Sequence, residues 1–488
     1  MDTAFAGYSA PFIYESPVSR TKVQQLLWGD FVTLLGERNG SWVRVRGRGE
    51  EGWMNEADLQ PDRLLEVYFV DVGQGDGAFI ITPDDRRIVV DAGEVDNLFR
   101  FLSWRFALRR DLERVVDIDA VVITHPDQDH YGGFDQFFQS RQFRIGSVYH
   151  NGIVERDGPD RLGPTVPFDG RTCLSDLVVD RPALDARLAL PGWAGRLRYP
   201  NLLKRAAERS EAPDIRMLSA RDEHLPGYEL GQPLHIRVLA PVEEADPGQR
   251  LLRTFASNDG KTKNGHSIVL KLEYGNIRIL LGGDLNTPAE EHLLAHYTGL
   301  DPRPQTGTKR DTLVTQARKT FEADVAKACH HGAADFTNVF VQAVNALATV
   351  VSSGDAESHC HPRPDALGAM GRWGRGDRPL VFSTELARST NDRVRNPQAL
   401  RDEIARLFDE REAAAPVTRS QVQGRIDEKL GELERSVAVY GLINLRTDGK
   451  RVVMAQKLEE PRPGSGEKWD VHRLEPDASG DLQYVSKF

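Results

Sequence analysis

Cysteine is scarce in this chain: Cys173, Cys329 and Cys360 are the only three in 488 residues. So sparse and odd a set makes no disulfide framework, and the expected compartment is the reducing cytoplasm. Long apolar runs are also missing. No stretch of ~18 apolar residues is present to cross a bilayer as a helix. The opening residues, MDTAFAGYSAPFIYESP, lack the basic start and apolar run of a secretory signal. Excess positive charge is missing too. The net charge of −10 opposes nonspecific binding of nucleic acid over the whole surface. A polyanionic ligand would need a local basic patch or bound cations. No internal repeat or low-complexity segment stands out.

What is present is an ordinary globular composition, 40% hydrophobic and 28% charged, in a chain long enough for more than one domain. Its densest chemical signal is VVITHPDQDHYGG, residues 121–133. Ile118, Ala120, Val121, Val122 and Ile123 read as a buried strand. The strand stops at Thr124-His125-Pro126, where proline ends the ladder. Four ligand-type side chains follow at once: His125, Asp127, Asp129 and His130. Imidazole nitrogens and carboxylate oxygens are what zinc, manganese or iron require. Alternation along the turn can send His125 with Asp127 to one metal and Asp129 with His130 to another. The plain alternative is a polar surface turn rich in His and Asp, but four ligands in six positions after a buried strand argue against it.

This run resembles the HxHxDH signature of the metallo-β-lactamase superfamily, with Asp127 in place of the second histidine. The replacement keeps a ligand and makes the site harder and more anionic. Two further stretches, VDVGQGDGAFI and VVDAG, resemble the start of the hydrolase domain of the competence DNA-uptake (ComEC-type) family. In such folds the aspartate of the DAG element sits beside the metals and braces them, which assigns that role to Asp91. Asp76 lies in the GQGD turn, which taken alone is equally a plain hairpin. At IRILLGGD the resemblance makes Asp284 the carboxylate that bridges two metals. A carboxylate capping a buried strand has little reason to exist without a cation. Asn264 and Ser267 in KNGHSIVLKL resemble the Asn/Ser motif of the competence-type subset, with His266 expected to point away. DVAKACHHG matches the element D-x-x-K-x-x-H-H-G. The resemblance gives His331 to the second metal and leaves His330 to touch phosphate or protonate the leaving group; the reverse assignment stays open. DAESHCHP resembles a later GHP element, with His361 as its histidine. A separate zinc site at His359-Cys360-His361 is disfavoured by its tight spacing.

The implied fold is α/β, a metallo-β-lactamase αββα sandwich with a small N-terminal β-barrel and an α+β C-terminal appendage. Residues 1–62 carry alternating apolar positions broken by Gly and Asp turns, similar to a bacterial Src-homology-three-like barrel. There Trp28, Trp42 and Trp53 serve equally well as core or as a binding face. Residues 63–395 are expected to form the hydrolase, with an insertion at about 151–260 near the site mouth. The segment Asn97–Arg114 reads as a helix whose arginines form a solvated face first and a phosphate-contacting face only second. Residues 396–488 read as helices followed by β-hairpins, for packing or for a partner.

His125, Asp127, Asp129, His130, Asp284 and His331 together imply a site for two divalent ions, zinc or manganese. Such ions lower the pKa of a shared water to roughly 7 and neutralise charge growing on phosphate oxygens. Asp129 and His330 are the candidate catalytic residues; Asp91, Asp76, Asn264 and His361 are candidates to brace the site or touch substrate. The expected activity is phosphodiester hydrolysis, foremost a nuclease acting on DNA or RNA. The alternatives are a small-molecule phosphodiesterase, similar to phosphorylcholine esterases that share the GGDLxN element, and a non-catalytic binding module whose barrel and tail recruit a protein partner. A membrane partner is not expected.

Overall fold

The computed structural model of the chain describes residues 3–19, 21–190, 197–303, 306–354, 359–384, 397–435, 441–458 and 461–486. Residues 355–358 of the DAESHCHP run and the expected boundary at 395/396 lie outside the described residues.

Two sheets form the centre. The larger has ten strands. Four run parallel: Asp214–Met217, Phe143–His150, Val116–Ile123 and Arg87–Val90. The antiparallel strands Ala78–Ile81 and Leu65–Phe69 continue it. The second sheet has six strands, from Leu234–Ala240 through Val269–Tyr274, Ile277–Leu281, Val325–Lys327 and Ala348–Val351 to Leu380–Ser383.

Side chains alternate across each strand with period two, and here both faces are buried. Tyr68, Phe79, Val89 and Val121 pack under helices through Leu98, Phe101, Phe134 and Phe137. Their neighbours Val67, Ile80, Val90 and Val122 face inward, against Ile236, Leu270, Ile279 and Val350 of the second sheet. On that sheet's outer face, Leu280 and Ala326 meet Leu293, Leu313 and Phe340. Helix, sheet, sheet and helix layers result. Each fully buried Val, Leu, Ile or Phe contributes about 1.5–3 kcal/mol of transfer free energy, so the inter-sheet core is the main source of cohesion.

The C-terminal residues do more than append. Ile443–Thr447 pairs antiparallel with Leu65–Phe69, and three more strands, ending at Leu482–Val485, extend the large sheet. Buried Arg446 fixes the junction, with Nη1 2.8 Å from Glu66 Oε2 and Nη2 donating to the Tyr68 hydroxyl at 2.8 Å. The N-terminal strands form a seven-stranded antiparallel sheet that curls into a half-barrel. Trp28 is core: it packs with Leu64, Val453, Ala455 and Trp469, and its Nε1 donates to Gln60.

Two local expectations change. The helix expected over Asn97–Arg114 ends at Arg105, before Ala107 takes a left-handed φ of 54°. Its arginines are not simply solvated, since Arg100 is buried. The insertion, whose fold the sequence left open, supplies the strand Asp214–Met217 to the large sheet. It also builds a small sheet from Thr165–Phe168, Arg171–Leu174 and Leu252–Arg253.

Candidate metal centre

The centre lies where the two sheets present the ends of their strands. Asp91 follows the strand Arg87–Val90 with φ 55°. Its Oδ1 accepts from Thr124 N at 2.8 Å, and its Oδ2 accepts from Thr124 Oγ1 at 2.7 Å and from His130 Nδ1 at 2.8 Å. One carboxylate thus fixes the end of the next strand and the orientation of an imidazole. With Nδ1–H given to Asp91, His130 turns Nε2 inward, the arrangement carboxylates impose on metal-ligating histidines. His125 is fully buried beside it, ring centroids 4.1 Å apart, with Nδ1 3.1 Å from Thr124 Oγ1 and 3.3 Å from Ser267 Oγ.

Asp284 arrives from the other sheet, after Ile277–Leu281. The turn there demands glycine: Gly283 has φ 54°, and a Cβ on it would lie 2.5 Å from Ser267 Cβ. Asp284 Oδ2 stands 3.2 Å from His130 Nε2 and 3.1 Å from His331 Nε2. His331 Nδ1 donates to Ser352 O at 3.0 Å and lies 3.2 Å from Asp76 Oδ1. Asp129 Oδ2 is 3.6 Å from His331 Nε2, and Asp127 Oδ2 is 3.6 Å from His125 Nε2. The GQGD turn closes over this group. A Cβ on Gly75, at φ 104°, would fall 1.7 Å from the Asp129 carbonyl oxygen.

The donor set fits divalent ions. The Nε2 atoms of His125, His130 and His331 are buried and make no hydrogen bond, and neither does Asp284 Oδ1. Ligand atoms of His125, His130 and Asp284 lie within 4.8 Å of one another, as do those of Asp129, His130 and His331. Leaving several buried polar atoms without partners costs roughly 1–3 kcal/mol each, which a bound cation would recover. Titration agrees. Burial opposes charge throughout, yet Asp284 and Asp91 hold His130 well above an ordinary histidine. Asp284 and Asp76 likewise raise His331 to about 10, against its burial. The same contacts, with His130 foremost, push Asp284 well below the usual carboxylate range despite burial.

His330 takes a different position. It lines a cavity of about 280 Å³ together with Asp127, Asp129, Asn264, Asp284 and His361. Its Nε2 is 4.0 Å from Asp284 Oδ2, and burial lowers its pKa. Both His330 and His331 have left-handed backbone, φ 49° and 53°, a conformation that costs bulky residues energy and clusters at functional sites. The His361 ring centroid lies 5.7 Å from that of His330. With its amide nitrogen turned to meet acceptors, Asn264 donates to Asp127 Oδ2 at 2.7 Å. His266 points away, its Nε2 donating to Arg253 O at 2.7 Å. His150 is buried, and its Nδ1 accepts from Gly152 N.

Two lysines were given no role from the sequence, although Lys327 is the lysine of the D-x-x-K-x-x-H-H-G element. Lys327 is buried, ion-paired to Asp76, 3.6 Å from Asp284 Oδ1, and donates to Gly283 O at 3.0 Å. Lys263 is ion-paired to Asp127 and lies 3.1 Å from Glu155 Oε1. A lysine inside the apolar run Val325–Ala328 was the available signal, because lysine is almost never fully buried unless paired.

ComE operon protein 3 of Bacillus subtilis (strain 168) is 22% identical over 326 residues, covering 63% of this chain and 30% of that protein. The chain therefore spans less than a third of that relative's length. Among solved structures, Tm1679, a metal-dependent hydrolase of the beta-lactamase superfamily, is similar at 12% identity. That match covers 65% of this chain and 95% of the other, with a TM-score of 0.32. MEM-A1, a subclass B3 metallo-beta-lactamase from a soil metagenome library, is similar at 12% identity over 54% of this chain and 79% of the other, with a TM-score of 0.25. Residues 71–327, more than half of the chain and the span that carries Asp76, Asp91, His125–His130 and Asp284, match the metallo-β-lactamase superfamily, and the chain belongs to it.

Proposed function

We propose that this chain is a two-metal phosphodiester hydrolase whose substrate is nucleic acid. One observation carries the reading: three buried Nε2 atoms, from His125, His130 and His331, converge without hydrogen-bond partners on Asp284. His125, Asp127 and Asp284 would hold one ion; Asp129, His130 and His331 would hold the other. When bound, the ions supply an activated water and neutralise charge on the phosphoryl oxygens. The protein's own residues do the rest. Asp91 and Ser352 O fix the two histidine tautomers, and Lys263 with Asn264 holds Asp127 at the cavity wall. His330 faces the same cavity. Its burial favours the neutral ring at rest, and an anionic phosphate beside it raises its pKa, so it takes up a proton on substrate binding and can pass it to the leaving oxygen.

The nucleic-acid assignment is supported by the likeness to ComE operon protein 3. A small-molecule phosphodiesterase is the second reading, favoured by the modest cavity, about 280 Å³, below the ~300–1,000 Å³ usual for ligand pockets. The test is hydrolysis of bis-(p-nitrophenyl) phosphate and of a labelled DNA strand by wild type and Asp129→Ala, with metal content measured alongside. Cleavage of both by wild type, lost in Asp129→Ala, supports the nuclease. Cleavage of the small ester alone selects the second reading. Equal activity in both proteins means that the chemistry occurs elsewhere.

A further inference from the structure

A second cavity, of about 360 Å³, lies between the helix Asn97–Arg105 and the C-terminal helices Pro397–Ala413 and Pro416–Arg435. Its described charged lining is Arg100, Arg109 and Arg401 against one carboxylate, Asp96. Asp96 is already engaged by Arg401, Oδ2 to Nη2 at 2.5 Å. Arg100 is 9% exposed and donates to the neutral Asn97 Oδ1 at 3.2 Å. Burial first, then the neighbouring guanidiniums of Arg401 and Arg109, pull Arg100 down to about 10 although Asp96 opposes them. Among the described lining residues positive charge exceeds negative, on a chain whose net charge is −10. A guanidinium carries five N–H donors, so each arginine can keep its protein contacts and still serve a ligand. The rings of Phe99 and Phe408 line the same cavity.

This cavity adjoins the metal centre through the chain itself. Glu94 N donates to Gln74 O at 3.3 Å, and Gln74 lines the catalytic cavity. Glu94 is two residues, at most about 7 Å of chain, from Asp96. Asn97 Nδ2 lies 3.8 Å from where a Cβ on Gly73 would be. The turn 73–75 and the segment 94–97 therefore stand between the two cavities.

Guanidiniums beside aromatic rings are what proteins use to hold a single strand, the first for phosphate and the second for the base face. Resting on the nuclease reading above, we infer that the Arg100–Arg109–Arg401 cavity binds a nucleotide of a single-stranded substrate, flanking the phosphodiester at the metal centre.

The test is binding of a fluorescein-labelled oligothymidylate to the full chain kept metal-free with chelator, followed by anisotropy over a salt series. Arg109→Gln is expected to bind more weakly, with the log–log salt slope shallower by about 0.7, the share of one single-strand phosphate contact. Arg109→Lys should restore the slope. Phe408→Ala should weaken binding about tenfold while leaving the slope in place. Arg46→Gln, in the N-terminal half-barrel, should change neither, and circular dichroism checks that each variant is folded. Unchanged affinity and slope in both Arg109→Gln and Phe408→Ala would overturn the inference. Thymidine monophosphate displacing the strand at equal phosphate concentration would overturn it as well, by making the cavity a mononucleotide site. Strand binding that follows these expectations without metal-dependent cleavage would sink the nuclease reading alone. Cleavage with indifferent variants would sink this one alone.

Discussion

The two halves of the metal centre are built by different means. The half from the large sheet, His125 to His130, is held by hydrogen bonds: Asp91 ties Thr124 and His130 together through three contacts of 2.7–2.8 Å. The half from the second sheet, Asp284 to His331, is held by a buried cation and a bent chain. Lys327 sits between Asp76 and Asp284, and two consecutive histidines take left-handed backbone. The first device sets the direction of a ring. The second sets the charge balance, keeping two buried carboxylates tolerable when no ion compensates them. The halves should accordingly fail in different ways.

Lys327→Met should produce the largest effect. It leaves Asp76 and Asp284 buried without their cation, a change that costs about 3–5 kcal/mol when one partner of a buried pair is removed. The loss should be large in metal-free protein and smaller after loading with divalent ions; urea unfolding with and without ion measures both. A loss independent of metal would show that Lys327 serves packing and not charge. His330→Ala should come next, retaining metal while turnover falls by ~100-fold, the size typical of a lost general acid. Asp91→Asn should spare the fold and weaken metal affinity by about 10–100-fold, read by competition with a chelating dye. If Asp91→Asn acts like Lys327→Met, chiefly on stability, the contrast between the halves is wrong.

A separate effect, of pH, lies outside both halves. Burial pulls His150 and His266 down to about 4 from the ordinary 6.5. Arg250 adds to this at His150, whereas the bond to Arg253 O opposes it at His266. Below pH 6.5 the unfolded chain binds protons that the folded chain refuses. The stability these two histidines contribute is therefore full above 6.5 and falls as pH drops toward 4, by at most about 1.4 kcal/mol per pH unit for each. Denaturant midpoints at several pH values across that window check the sign.

Much of the layered core was legible in the sequence because its strands alternate or run continuously apolar, and the ligand candidates cluster at their ends. Val121–Ile123 followed by His125, and Ile277–Leu281 followed by Asp284, are local patterns. What was not legible depends on distant pairings. Nothing near Ile443 says that it will lie beside Phe69, so the C-terminal hairpins read as an appendage although they extend the large sheet. The helix ending at Arg105 was overdrawn because arginines favour helix and nothing in the local pattern marks the left-handed turn at Ala107. The roles of Lys263 and Lys327 were hidden for the same reason, since Asp127 and Asp76, the carboxylates they pair with, lie far away along the chain.

Asp284 Oδ2 lies 3.2 Å from His130 Nε2 and 3.1 Å from His331 Nε2, so metal stoichiometry in Asp284→Ala tests the centre most directly. Isothermal titration of chelator-stripped protein with zinc or manganese should give about two equivalents for wild type and none at comparable affinity for Asp284→Ala. Two equivalents retained by Asp284→Ala, or no binding by wild type, would contradict the account.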